Sequence, residues 1–138
     1  MLPALEDDMA NPLVHFEFMT DDDERCREFY ESVFDWSVNT TGAPGYAQLS
    51  PGFGPGGGIL RRPPEMPQSG LTIYFQVDDV NATLARACAA GGHILMPRTP
   101  IPNMGAFAIF SDPDRNRIGL LEGGPAGEMA DTDIPPEG

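Results

Sequence analysis

The order of predicted elements occurs twice in this 138-residue chain, and this internal repeat constrains the fold more than any other feature. Each copy reads as a strand, then a helix, then three short strands separated by Gly and Pro. The copies cover about 13–62 and 71–122, and a shift of 57 positions places Thr20-Asp21 on Val77-Asp78. Repetition at a fixed period indicates two similar structural units. The sequence therefore predicts an α+β fold of two βαβββ modules, with residues 63–70 as the linker.

The strand and helix predictions rest on two different periodicities. The stretches "VHFEF" at 14–18 and "LTIYFQV" at 71–77 alternate in polarity, which is typical of strands. After each of them, acidic residues able to cap a helix precede apolar residues at helical spacing. These apolar residues are Cys26, Phe29, Tyr30 and Val33 in the first module, and Val80, Leu84, Ala87 and Cys88 in the second. Both thiols therefore fall in helices, where we expect them to be reduced and mostly buried.

One helix per module can cover only one face of its sheet. We expect one apolar set to face the first helix (Val14, Phe16 and Phe18) and another to face the second (Ile73, Phe75 and Val77). Because alternate strand residues point to opposite faces, the other face receives polar side chains: His15, Glu17, Thr72, Tyr74 and Gln76. The prediction is a half-open barrel with helices on its outer face and an internal cleft lined by these five residues.

Length and composition favour a single domain. Residues 11–123 hold both modules, and residues 1–10 and 124–138 are predicted to be tails. The chain is long enough to bury one good core. No run of about 18 apolar residues is present, so no membrane span is expected. The acidic start "MLPALEDDMANP" is unlike a secretory signal, and we expect a cytoplasmic protein.

The charge balance is strongly acidic, with 21 Asp and Glu against 8 Lys and Arg and a net charge of −13. A protein that binds nucleic acid needs basic residues to displace counterions from phosphates. No nucleic-acid partner is therefore expected. An acidic surface favours a cationic ligand or simply solubility, and the predicted cleft is expected to be acidic as well.

Several stretches of the chain resemble one superfamily. They are the helix "DDDERCREFY" after a His-bearing strand, and "VDDV" followed by "GG" and "IPNMGAFAIFSDPDRNRIGLLE". Together with the paired βαβββ order, they resemble the vicinal oxygen chelate superfamily over about 13–122. That group includes glyoxalase I, extradiol dioxygenases, fosfomycin-resistance transferases and bleomycin-binding proteins, and the chain looks closest to its glyoxalase-like branch. The resemblance implies a small-molecule ligand and a homodimer, since members are usually homodimeric and a two-fold dimer is the commonest assembly.

The resemblance also implies a place for a metal ion. Metal-dependent members hold a divalent ion with ligands on the first and last strand of each module, and these positions fall here on His15, Gly58, Thr72 and Gly119. Only His15 is a ligand type. Glu17 lies about 6.5–7 Å along the same strand face and is a candidate second ligand, with Glu122 as a helper. A complete site is therefore not expected, and the alternative is a weakly held Zn, Ni, Fe or Mn ion at His15 and Glu17.

Without a metal, two interpretations of His15 and Glu17 remain open. They hydrogen-bond each other or their polar neighbours in the cleft, or they perform acid–base chemistry with His15 as the proton carrier and Glu17 as its orienter. Arg117 is a candidate contact for an anionic group if it points into the cleft with Gly119.

Aromatic and glycine residues supply further candidates for the cleft. Trp36, Phe53 and Tyr74 are candidate ligand walls, and Tyr46 is an aromatic of the same kind. The stretch "GFGPGGG" at 52–58 lacks the following helix that a dinucleotide site requires, and it is interpreted as a loop near the cleft mouth. Within it, Gly58 lets the backbone approach a ligand closely.

Two functions remain open. The first is a binding protein that holds a small polar or aromatic molecule in an acidic cleft without a complete metal site. The second is a glyoxalase-like enzyme of the lyase, isomerase or dioxygenase type that uses His15 and Glu17.

Overall fold

A computed structural model describes residues 10–40, 45–66 and 68–123 of the chain. The predicted tails, apart from Ala10 and Gly123 at their borders, lie outside these residues. The elements follow the repeated order predicted from the sequence. Their bounds are β1 Leu13–Thr20, α1 Asp23–Phe34, β2 Ser37–Asn39, β3 Tyr46–Ser50, β4 Gly56–Arg61, β5 Gly70–Val77, α2 Val80–Ala89, β6 His93–Ile101, β7 Gly105–Ser111 and β8 Arg117–Glu122.

An aspartate caps the first turn of each helix, as the sequence predicts. The side chain of Asp22 accepts a hydrogen bond from the backbone N–H of Arg25, and Asp79 accepts one from Ala82. Each bond satisfies a backbone donor that has no partner within the first helical turn. Helix α1 ends at Asp35, whose φ of 59° is left-handed, so its backbone N–H returns to the Glu31 carbonyl.

The eight strands form one mixed sheet in the order β2-β3-β4-β1-β5-β8-β7-β6. Strands β1 and β5, the first strands of the two modules, pair antiparallel at its centre, with His15 opposite Tyr74 and Glu17 opposite Thr72. Each pairs on its other side with the last strand of its own module, in parallel. The sheet has two edges and does not close. The α+β fold of two βαβββ modules is therefore confirmed.

The two helices pack very differently on the outer face. In α2, Val80 and Leu84 are fully buried and pack on Val77, Ala108 and Leu120. Helix α1 has no buried residue. Its Tyr30 stacks on Phe18 with ring centroids 4.5 Å apart, while Phe29 and Phe34 remain 56% and 52% exposed.

Two local expectations are wrong. Val14 packs on the cleft side, against Tyr74 and Leu121, rather than beneath α1. The reason is a bulge in β1 between Leu13 and His15, which inserts Val14 as an extra residue and interrupts the alternation of faces. Cys88 is exposed rather than buried, whereas Cys26 is half-buried, and both are free thiols.

Among the described residues, neither helix has the length and apolar character needed to cross a membrane.

Candidate functional site

The cleft lies on the face of the sheet opposite the helices and has a volume of about 310 Å³. Its floor includes His15 and Glu17 of β1 and Tyr74 of β5, as the alternation of those strands predicts. One wall comes from the β6–β7 hairpin: Met96, Pro100, Ile101, Pro102 and Phe107. The rest of the lining is apolar except for the hydroxyl of one tyrosine, and comes from Met19, Tyr46, Leu60, Pro63 and Leu121.

A hydrogen bond joins the two modules at that floor. The Tyr74 hydroxyl donates to Glu17 Oε1 at 2.9 Å, and the two residues occupy equivalent positions 57 residues apart. The His15 ring lies 5.5 Å from the Tyr74 ring between centroids. Glu17 is only 9% exposed and His15 only 3%. His15 Nδ1 is buried and has no hydrogen-bond partner among the described residues.

Burial shifts the two ionisable groups in opposite directions. It raises the pKa of Glu17 to about 7, and the hydrogen bond from Tyr74 and the charge of Arg117 oppose this rise only partly. It lowers the pKa of His15 to about 4. Low-polarity surroundings disfavour the charged form of each group. Near neutral pH Glu17 is therefore the group of the two that gains or loses a proton, and His15 is neutral.

Tyrosine rings lie against Gly58 and Gly119, two of the four positions at which the resemblance places metal ligands. A Cβ on Gly119 would overlap the ring of Tyr74, and a Cβ on Gly58 would overlap the Tyr46 ring at its hydroxyl end. Gly58 and Gly119 themselves are not among the side chains that line the cleft. These glycines make room for the two tyrosines, so a larger ligand-bearing side chain does not fit at either position without displacing a ring.

The described residues do not fit the divalent metal that the superfamily implies. They contain no group of three or more His, Cys, Asp or Glu side chains able to hold one ion. Glu122, the proposed helper, instead accepts a hydrogen bond from the Val80 backbone and pairs with Arg98 at 2.9 Å. Only His15 and Glu17 remain as donors, fewer than the three protein ligands of a typical catalytic zinc site.

The other two polar residues predicted for the cleft are on its side of the sheet but not in its lining. Thr72 is completely buried opposite Glu17, and its hydroxyl has no hydrogen-bond partner among the described residues. Gln76 donates from its amide to the Gly123 carbonyl at 3.3 Å. Thr72 and Gln76 therefore lie beside the floor rather than on its surface.

Trp36 and Phe53 are placed outside the cleft. They line an open apolar groove on the outer face of the sheet, together with Phe16, Phe18 and Leu71. Phe53 is 95% exposed there. The loop "GFGPGGG" therefore borders this outer groove, and none of its residues lines the cleft.

The expectation of an acidic cleft is not met. Glu17 is the one carboxylate among the described residues that line it. The candidate anion contact, Arg117, donates to the Gln68 and Ser69 carbonyls of the linker, at 2.7 and 3.3 Å. Among the described residues, the other carboxylates lie outside the lining of the cleft.

Sequence reasoning missed the β6–β7 hairpin as a wall of the cleft. Pro100, Ile101 and Pro102 come from its tip, where Asn103 and Gly105 adopt positive φ values of 65° and 95°. A signal was present in "TPIPNMG", because two prolines and a Gly around Asn are typical of a tight turn. The contact of the β6–β7 hairpin with β1 depends on the curvature of the sheet, which the periodicity of the sequence does not predict.

Comparisons with known proteins agree with this fold. Residues 13–120 match the model of the Glyoxalase/Bleomycin resistance protein/Dioxygenase superfamily. A protein named putative glyoxylase CFP32 from Mycobacterium bovis is 33% identical over 116 residues, which are 82% of this chain and 44% of that protein. The anthracycline biosynthesis protein DnrV of Streptomyces peucetius is 28% identical over 130 residues, 78% of this chain and 47% of that protein. The chain thus spans about half the length of these curated relatives.

Solved structures share the fold at low sequence identity. A Legionella pneumophila structure titled NAD-dependent benzaldehyde dehydrogenase has a TM-score of 0.60 at 20% identity, covering 82% of this chain and 100% of that one. Methylmalonyl-CoA epimerase of Streptomyces coelicolor has a TM-score of 0.54 at 19% identity, covering 82% and 97%. With the paired modules, the inward cleft and the family match over most of its length, this chain belongs to the glyoxalase/bleomycin resistance protein/dioxygenase superfamily.

Proposed function

We propose that the protein binds a small molecule with an apolar, ring-containing body and one polar group, without a complete metal site. The observation that carries this proposal is the distribution of polarity in the cleft. Apolar side chains form its walls, and the polar atoms of His15, Glu17 and Tyr74 lie together at its floor. A pocket of this kind derives affinity from apolar contact and orientation from a few polar groups.

The name of one relative is compatible with this ligand class. DnrV is named as an anthracycline biosynthesis protein, and anthracyclines contain fused rings. The volume of about 310 Å³ lies at the small end of the roughly 300–1,000 Å³ typical of ligand pockets. A ligand of one or two fused rings is therefore the size we propose.

Binding of the neutral naphthalene dye prodan tests the proposal. We expect its fluorescence to shift to the blue on titration with protein. Ile101→Asn, which places an amide on the half-buried hairpin wall, should weaken the affinity about 5- to 150-fold, since one polar group facing an apolar ligand costs about 1–3 kcal/mol. The matched control Phe53→Asn, in the outer groove, should change the affinity less than about twofold. Equal effects of the two variants would refute the cleft as the binding site.

Metal content provides a second test. We expect no stoichiometric Zn, Ni, Fe or Mn by plasma mass spectrometry of tag-free protein purified without chelator from metal-supplemented growth. Near-stoichiometric metal that disappears in His15→Ala would contradict a metal-free site and would favour the alternative of an enzyme with a metal ion held at His15.

The second candidate function is a glyoxalase-like enzyme that uses metal-free acid–base chemistry. The specific observation in its favour is the pKa of Glu17 near 7, since a general acid or base works best when its pKa is close to the working pH. His15, with its pKa near 4, stays neutral and is the hydrogen-bonding partner rather than the proton carrier.

We further propose that the protein is a homodimer located in the cytoplasm. Support for the dimer comes from the exposed apolar side chains of α1, chiefly Phe29, Val33 and Phe34. Contiguous exposed apolar surface is typical of protein–protein contacts.

A further inference from the structure

We propose that the cleft selects ligands whose polar group is a protonated amine, and that the Glu17 carboxylate pairs with this ammonium group. The ligand class is a small ring-bearing amine, with its rings against the apolar walls and its charge at the floor of the cleft. This inference rests on the proposed function, because the amine must occupy the same cleft, and it specifies the polar group of that ligand.

Glu17 has no basic side chain to balance its charge. Among the described residues, the lining of the cleft contains no Lys or Arg, and none of the ion pairs includes Glu17. The charge of Arg117 acts on Glu17 from a distance, but its guanidinium donates to the carbonyls of Gln68 and Ser69. A buried carboxylate is costly unless a positive charge accompanies it. The ammonium group of the ligand supplies that charge.

The polar groups beside Glu17 are compatible with an ionised carboxylate and a cation next to it. The Tyr74 hydroxyl donates to Oε1 of Glu17 at 2.9 Å, and a hydrogen bond to a carboxylate favours its ionised form. His15 has a pKa of about 4, so near neutral pH its ring is uncharged and does not repel a cation. Burial raises the pKa of Glu17 to about 7, and a cation bound beside the carboxylate favours ionisation again.

Aromatic rings in the lining and the charge of the whole chain also favour a cation over an anion. Tyr46, Tyr74 and Phe107 bring three aromatic rings into the lining, and the electron-rich face of such a ring attracts an ammonium ion. The net charge of −13 raises the concentration of cations near the protein and lowers that of anions. An anionic ligand of the same shape meets the Glu17 carboxylate without compensation and should bind weakly.

Three naphthalenes of nearly equal size test the charge preference. In 1-naphthylmethylamine, 1-naphthylmethanol and 1-naphthoate, the group on the ring is positive, neutral and negative. Each is titrated against prodan bound to the protein, at pH 8, where Glu17 is mostly ionised, and at about 0.15 M salt, which screens attraction to exposed carboxylates. We expect the amine to bind at least about tenfold more tightly than the alcohol, because a hydrogen bond between charged groups is much stronger than a neutral one. The naphthoate should bind most weakly.

Variants identify the carboxylate that pairs with the amine. Glu17→Gln keeps the shape of the side chain and removes its charge, so the affinities for the amine and the alcohol should become nearly equal. Glu28→Gln, at an exposed position of α1, removes one surface carboxylate and is the matched control, in which the preference for the amine should persist. Circular dichroism checks the fold of both variants. The order of the three ligands on the wild type tests the inference even if Glu17→Gln does not fold.

The outcomes separate this inference from the proposed function. If prodan does not bind in the cleft, as Ile101→Asn and Phe53→Asn report, the proposed function fails and this inference fails with it. If prodan binds there but the amine displaces it no better than the alcohol, or the preference for the amine survives in Glu17→Gln, the binding function stands and the inference is overturned. A preference for the amine that is present in the wild type and in Glu28→Gln and absent in Glu17→Gln supports it.

Discussion

At the scale of single residues, burial in the same cleft shifts the pKa of a histidine and of a glutamate in opposite directions. His15 and Glu17 are two positions apart, point into one cleft, and have pKa values shifted to about 4 and about 7. The alternation of "VHFEF" was enough to place both on one face. It could not predict the order of their pKa values, because that depends on the apolar walls that other strands supply.

The opposite shifts predict opposite effects on stability. Glu17 holds its proton in the folded state up to a higher pH than in the unfolded state, so its contribution to the free energy of unfolding falls as pH rises from about 4.5 to 7. His15 is kept neutral by folding, so its contribution falls as pH decreases from about 6.5 to 4. Between pH 5 and 6 the two slopes, each about 1.4 kcal/mol per pH unit, should nearly cancel.

Denaturant unfolding at pH 5.0, 5.5 and 6.0 checks this cancellation. Relative to wild type, Glu17→Gln should become more stable with rising pH, at up to about 1.4 kcal/mol per unit. His15→Gln should show the reverse slope. Parallel pH profiles for wild type and both variants would mean that neither group has a shifted pKa.

Gly119 illustrates a residue whose role is to leave space. Because a Cβ there would overlap the buried Tyr74 ring, Gly119→Ala should destabilise the protein by about 1–3 kcal/mol, the usual cost of overpacking. In a Tyr74→Ala background the same substitution should cost much less, since the ring is gone. A double-mutant cycle measures this coupling, and additive effects would argue against the steric interpretation.

At the scale of elements, Glu122 joins three of them. From the end of β8 it accepts the backbone N–H of Val80 at the start of α2 and pairs with Arg98 of β6. In the sequence, Glu122 is only a carboxylate at the end of a strand, which is why it was a candidate additional metal ligand. The partners that define its structural role come from a helix 42 positions and a strand 24 positions away.

Glu122→Ala should therefore cost about 1–2 kcal/mol at pH 7, mainly through loss of the bond to α2, as for a helix cap. Arg98→Met should cost less than Glu122→Ala, because the ion pair is partly exposed to solvent. Thermal or denaturant unfolding of the two variants checks this order. Since Arg98 lowers the pKa of Glu122, the wild-type advantage over Glu122→Ala should shrink as pH falls below about 4.5.

At the scale of the whole molecule, two similar modules have become unequal. Helix α2 buries Val80 and Leu84, whereas α1 buries no residue and exposes Phe29, Val33 and Phe34. Both helices have apolar residues at helical spacing, so their sequence patterns look alike. The two helices differ in which of these apolar residues pack against the sheet.

The exposed face of α1 should be a dimer contact. We expect light scattering to give the mass of a dimer, and Phe29→Glu together with Phe34→Glu to give a monomer with an unchanged circular dichroism spectrum. Ile94→Glu, at an exposed apolar position of the second module, is the matched control and should remain dimeric. A wild-type monomer, or a dimer that survives the double substitution, would contradict this assignment.

The sequence by itself determined the two βαβββ modules, the capping of both helices by an aspartate, and the shared face of His15, Glu17 and Tyr74. These features depend on local spacing, capping and alternation, which neighbouring residues encode. Tertiary structure alone decided the bulge that turns Val14 inward, the tyrosines that lie over Gly58 and Gly119, and the separation of Trp36 and Phe53 from the cleft. It also made the cleft apolar and raised the pKa of Glu17, because those properties arise from strands that meet only when the sheet is assembled.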